Sequence, residues 1–164
     1  KNAKNNSIIV ILDGDDWLAN PAVLKTLNGI YSDEVWITNG SYVIEPTKQI
    51  VRPRIDESYW NGNIRKKSWQ FSHLGTFRKE LFMRIKRKHL MNKSGQFWST
   101  TSDQAIMWPM VEMAGPEHHR AIENVLYVYN RHNPLSDDRV NRKDQLDTEA
   151  VIRSFEPYSR LESL

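Results

Sequence analysis

One junction near the amino end constrains this chain more than any other feature: "SIIVILDGDDWLANP", Ser7 to Pro21. Ile8 to Leu12 are apolar without a break, and Asp13, Asp15 and Asp16 follow at once. A segment that is apolar at every position needs cover on both faces, which predicts a strand inside a sheet layered on either side. Carboxylates resist such burial, so the chain must leave the core at Asp13. In open α/β sheets ligands bind beyond the carboxyl ends of the strands. The three acids therefore stand where a binding site is expected.

The rest of the chain is consistent with a folded domain. Its 164 residues fit one domain, and a 39% apolar content with six Trp, six Tyr and five Phe excludes a disordered chain. No apolar run reaches the length of a membrane span, and no charged-then-apolar leader opens the sequence. The absence of cysteine excludes a disulfide framework and thiolate metal sites, and favours a cytoplasmic location. The net charge of +3 is mild. Its one basic cluster, "RIKRKHLMNK" (Arg84 to Lys93), is expected to be a solvated helix face, so no nucleic-acid partner is expected.

Punctuation residues divide the chain further. Asn20-Pro21 opens a helix, "PAVLKTLNGIY", with Val23, Leu24, Leu27 and Ile30 at helical spacing. "EVWITNGSYVI" alternates and is expected to form strand, turn and strand. "EPTKQIVRPRIDESYWNGN" carries three turn signals and predicts a surface excursion. A helix is expected from Arg78 through Leu90, with Leu81, Phe82 and Ile85 on one face and a turn at Asn92 to Gly95. Ser102 is placed to cap a second helix, "DQAIMWPMVEMAG", ending at Gly115, with Pro109 kinking it at a cost of about 3 kcal/mol. "NVLYVYNRHNP" predicts a last strand that leaves the core at Asn130. The tail from Asp144 to Leu164 is expected to be a surface helix broken by Pro157.

The acids admit several chemistries. Asp13 and Asp15, on alternate positions, can coordinate a hard divalent cation that neutralises substrate phosphates. Asp13 could instead be a phosphoryl-accepting nucleophile with Asp15 as its acid/base partner, since "VILDGDD" locally resembles the haloacid dehalogenase phosphatases. That family needs a small residue and then a hydroxyl residue after the second Asp, and Trp17-Leu18 supplies neither. The bland alternative is that Asp13 or Asp16 caps the following helix. His118 and His119 are adjacent, so their side chains diverge and do not suit a shared metal.

Four segments in order, "ILDGDDWL", "HLGTFRKELF", "TTSDQAIMWPMVEMAG" and "YVYNRHNPLS", together resemble the inverting glycosyltransferases of family two, which have the GT-A fold. The resemblance implies an α/β fold, a Rossmann-like mixed sheet with flanking helices, and covers the back part of that fold. Its nucleotide-binding front half would precede Lys1, so this stretch alone is expected to be inactive. The implied activity is metal-dependent transfer of a hexose from a nucleotide-diphosphate sugar, a UDP-sugar before others, to a hydroxyl on a carbohydrate or other acceptor.

Carried over by position, the resemblance makes Asp13 and Asp15 the donor and metal ligands for manganese or magnesium, with His132 approaching the same metal. It makes Asp103 the catalytic base, although Ser102 stands where the family often has Glu. Gly75 and Arg78 would lie beside the donor sugar, and Trp69, His73 and Trp98 beside the acceptor, with Trp60 a further stacking candidate. The expected organisation is one partial domain: 1–45 for the aspartate strand and its successors, 46–68 as a variable loop region, 69–135 for base and acceptor, and 136–164 as a tail. A binding module that keeps the fold without catalysis is the alternative from another class.

Overall fold

The computed structural model describes residues 3–4, 6–32, 34–134 and 140–164. It is a mixed α/β structure built on one curled sheet. The elements are β1 (Ile8–Val10), β2 (Trp17–Leu18), α1 (Val23–Ile30), β3 (Ile37–Glu45), β4 (Gln49–Val51), β5 (Thr76–Arg78), α2 (Lys79–Met83), α3 (Ser102–His118), β6 (His119–Asn130) and α4 (Arg142–Arg153). The sheet order is β1-β5-β3-β6-β2, with β4 paired to β3 as a hairpin partner. β3 and β6 run parallel, and the other pairs are antiparallel.

The apolar run is not the fully buried inner strand its pattern predicts: β1 is an edge strand paired to β5 alone, Ile8 to Ile11 are half-buried and Leu12 is exposed. Ile9 and Ile11 pack into the cluster of Ile37, Phe77, Leu81, Met107 and Trp108 beneath α2 and α3, while Val10 packs the other way against the cluster of Val23, Leu27, Leu74 and Leu126 with α1. Successive side chains of a strand point to opposite faces, so both faces are used.

Several expectations change. Asn39-Gly40 is no turn: β3 runs through it, with a register irregularity against β6 at Gly40–Tyr42. A Cβ on Gly40 would stand 2.8 Å from Leu126 Cδ1, so glycine here permits close approach of two strands rather than chain reversal. The helix expected through Leu90 stops at Met83 and resumes as a 3₁₀ turn at Arg87–Leu90. The Lys86 N–H, which would prolong it, donates to the Tyr158 hydroxyl of the tail (2.9 Å). Arg84, Lys86, Arg87 and Lys88 are exposed, whereas His89 is buried.

Helical dihedrals in α3 run through Pro109 and fail instead at Gly115, whose φ of 61° favours glycine. The tail helix α4 ends at Arg153, ahead of Pro157. The 46–68 excursion is anchored rather than superficial, burying Tyr59, Ile64 and Arg65. Arg65 reaches into the core, where Nε and Nη2 donate to the two oxygens of Glu112 on α3 at 2.6 and 2.8 Å and Nη1 donates to the Ile152 carbonyl at 2.7 Å. Among the described residues, no helix is long and apolar enough to cross a membrane.

Candidate functional site

Where β1 ends, the Asp13–Asp16 loop forms one wall of a cleft of about 420 Å³. The other walls are His73, the 99–103 entry into α3, Tyr129 and Asn133 at the end of β6, and Gln145 of α4. Four carboxylates and one imidazole gather here, and among the described residues no Lys or Arg lines it. A larger cavity of about 580 Å³ lies elsewhere and has no acid on its lining. Convergence of ionisable groups, not volume, marks the cleft as the place for chemistry.

The three acids of the loop have three different situations. Asp16 is buried and accepts the Tyr127 hydroxyl on one oxygen and the Asn130 N–H on the other (2.7 Å). It therefore fastens the loop to β6 and does not cap α1. Burial, and then the bond to Asp16, push the Tyr127 phenol well above its ordinary pKa, so it stays a donor. Asp15 Oδ2 accepts from Asn133 Nδ2 at 2.6 Å, and its carbonyl accepts from Asn130 Nδ2 at 3.0 Å. Asp13, exposed as Asp15 is, has a side chain 53% exposed, with Oδ2 at 3.3 Å from the Tyr127 hydroxyl and 3.9 Å from His73 Nδ1.

His73 is held as a plate. It stacks on Tyr127 at 4.5 Å and 7°, lies beside Tyr129 at 5.2 Å, and meets the edge of Tyr42 at 5.4 Å. Tyr127 and Tyr129 sit two apart on β6 and so share a face.

Opposite the loop, Thr101 precedes α3 with φ 57° and ψ 22°. A β-branched residue there is strained by about 1–3 kcal/mol, and such strain concentrates at functional positions. The neighbouring Thr100 hydroxyl is buried at the cleft wall with no hydrogen-bond partner among the described residues. Asp103 follows in the first turn of α3 and is exposed at the cleft. The surrounding walls nevertheless crowd its carboxyl. That desolvation raises its pKa, the Gln104 N–H and His73 lower it, and the charge of Asp13 raises it again. Open access and crowding coexist because the cleft is concave.

Comparison with family models, with curated proteins and with solved structures finds no match.

Of the residues singled out in the sequence, Asp13, Asp15, His73 and Asp103 meet in the cleft. The others are placed elsewhere. His132 is exposed and does not line the cleft, where its neighbour Asn133 faces Asp15 instead. Arg78 points the other way, with Nε donating to the Val35 carbonyl at 2.9 Å and Nη2 to that of Ser32. Gly75 is buried, and a Cβ there would come within 3.3 Å of Met107 Sδ, so it admits α3 rather than a sugar. Trp69 packs on Trp108 at 4.9 Å and lines the larger cavity. Trp98 leans on the core and donates its indole N–H to the His89 carbonyl at 3.0 Å, while Trp60 packs near Phe71 and His119. His118 and His119 diverge, to the Glu34 carbonyl and to Asn39.

Tyr127, Tyr129, Asn133 and Gln145 were not singled out as site residues. The spacing in "YVYN" was a readable signal for the first two, and nothing in the sequence marked Gln145. The end of the "YVYNRHNPLS" segment, Leu135 and Ser136, lies outside the described residues.

Proposed function

We propose that this chain carries the donor and base site of an inverting glycosyltransferase of the GT-A type, moving a hexose from a nucleotide-diphosphate sugar to a hydroxyl acceptor. One observation carries it: Asp13 and Asp103, far apart in sequence, face one cleft, with Asp103 crowded at a helix start. In the step proposed, the acceptor oxygen attacks the anomeric carbon and its proton passes to Asp103. The bond from that carbon to the diphosphate breaks, and the diphosphate leaves with the electron pair. A carboxyl with a raised pKa is a stronger base than an ordinary aspartate once ionised, which suits this role. His73, fixed between tyrosines, would position the acceptor beside it.

Among the described residues, no three His, Cys, Asp or Glu side chains form a metal-holding group. The donor set therefore does not fit a closed protein cage. It fits a magnesium- or manganese-type ion that takes one or two carboxylates and completes its shell with water and substrate phosphate. Asp13 and Asp15 would hold it, and His132 does not line the cleft. When bound, such an ion supplies charge to offset the departing diphosphate.

Asp103→Asn in the complete protein tests the proposal. Transfer from UDP-sugars should fall about a hundredfold or more, the scale of a lost general base, with donor and manganese affinity near normal. Asp15→Asn should instead weaken manganese binding, read by isothermal titration. Unchanged turnover in Asp103→Asn would reject the base assignment. A binding module without catalysis is favoured by the Asn133 amide on Asp15, and it predicts donor binding with no transfer in the unaltered protein.

A further inference from the structure

The cavity of about 580 Å³ has the opposite electrical character from the cleft. Its floor is Gly40 and Tyr42 of β3, one wall is the chain from β4 to Arg54, and the other is the 69–72 segment. Two arginines, Arg52 and Arg54, line it, and among the described residues no Asp or Glu does. Neither guanidinium has a hydrogen bond or ion pair among the described residues. Arg65, Arg78, Arg120, Arg153 and Arg160 each hold a protein oxygen, whereas Arg52 and Arg54, exposed like Arg84 and Arg87, keep their forks free. Free guanidinium forks match the two oxygens of a carboxylate or phosphate.

Three further features make this a groove prepared for a ligand. Its walls are tied across: the Arg54 N–H donates to Gln70 Oε1 at 3.0 Å, and Asn39 Nδ2 donates to the Gln70 carbonyl at 2.9 Å. The half-buried Trp69 ring, backed by Trp108 and by Phe71 at 5.6 Å, stands in the wall as a rigid apolar face. Finally, Tyr42 of the groove meets His73 of the cleft at 5.4 Å, so these two rings form the wall between the cavities.

We propose that this groove binds a saccharide bearing an anionic substituent, phosphate or carboxylate, with its ring against Trp69 and its anion on Arg52 and Arg54. The acidic cleft repels that anion, so charge favours the groove over the cleft for this ligand.

The experiment reads binding, so its failure is separable from failure of transfer. The 164-residue chain is titrated with glucose 6-phosphate, glucuronic acid, glucose and inorganic phosphate, following the Trp69 indole N–H resonance, which is assigned by its loss in Trp69→Phe. At least one anionic sugar should shift that resonance below about 10 mM, and glucose and phosphate alone should bind at least tenfold more weakly. The stronger of the two anionic sugars identifies the substituent. The double variant Arg52→Gln, Arg54→Gln should lose at least tenfold in affinity with unchanged Tm. Binding unaffected by that variant, glucose as tight as its anionic relatives, phosphate as tight as the sugar phosphate, or no shift with either anionic sugar would each overturn the proposal.

Discussion

Two carboxylates on one helix meet opposite fates. Glu112, deep in α3, has both oxygens taken by the Arg65 fork and accepts the Tyr158 N–H as well (3.0 Å). Asp103, at the start of the same helix, is crowded by the cleft and faces another acid. Where a buried charge is fully paired, it ties segments together. Where an exposed acid faces another acid across a cleft, it holds no segment in place. The difference separates the clamped part of α3 from its cleft-facing start.

The comparison breaks most visibly at Glu112. Glu112→Gln leaves the Arg65 guanidinium buried without its counter-charge, and should cost about 3–5 kcal/mol. Urea unfolding should show a lower midpoint at unchanged slope. A loss below about 1 kcal/mol would mean that the pair is not the clamp described.

A smaller effect comes from pH. His119 is buried, its Nε2 faces Asn39 Oδ1 at 2.7 Å, and burial holds its pKa down to about 3, with Arg120 adding to the depression. The folded state keeps this ring neutral, while the unfolded chain takes up a proton below about pH 6.5. The stabilisation is thus present above pH 6.5 and is lost as pH falls from there toward 3, by up to about 1.4 kcal/mol per pH unit. The partly depressed His89 adds loss of the same sign. His119→Gln should flatten the acid limb of a Tm-against-pH curve, and an unaltered limb would remove His119 as its source.

The smallest effect is the sharpest discriminator. Because crowding raises the Asp103 pKa, its ionised form costs the folded state at neutral pH. The penalty is absent in acid and appears as pH rises through the carboxyl range. Asp103→Asn should therefore raise Tm slightly at pH 7 while transfer collapses. A fall in Tm would place Asp103 with Glu112 among the structural acids.

What could be read in the sequence was local. The unbroken apolar run from Ile8 located β1, though not its place at the sheet edge, and the acids beyond it located one wall of the cleft. Asp103 was legible from its helix start and its motif context. What failed depended on distant partners. Gly40 reads as a turn until Leu126 is brought against it, and Arg78 reads as a ligand until the Ser32 and Val35 carbonyls arrive. His132 and Asn133 differ by one position in a loop. Only the path of the chain after Asn130 decides which of them faces Asp15. The role of Asp16 was hidden for the same reason, since both of its partners lie on β6.

That last tie has a consequence for the life history of the chain. A ribosome makes Asp13 to Asp16 first, and Tyr127 and Asn130, which hold the loop, more than a hundred residues later. Through most of synthesis these acids have no fixed geometry. The cleft can assemble only when β6 slides in beside β3, a long-range parallel pairing of the kind that forms late and slowly. Ligand binding at the acids then becomes a sign that the last strand has arrived. A nascent chain halted before Tyr127 would carry all four carboxylates of the cleft and still have nothing to hold a ligand with.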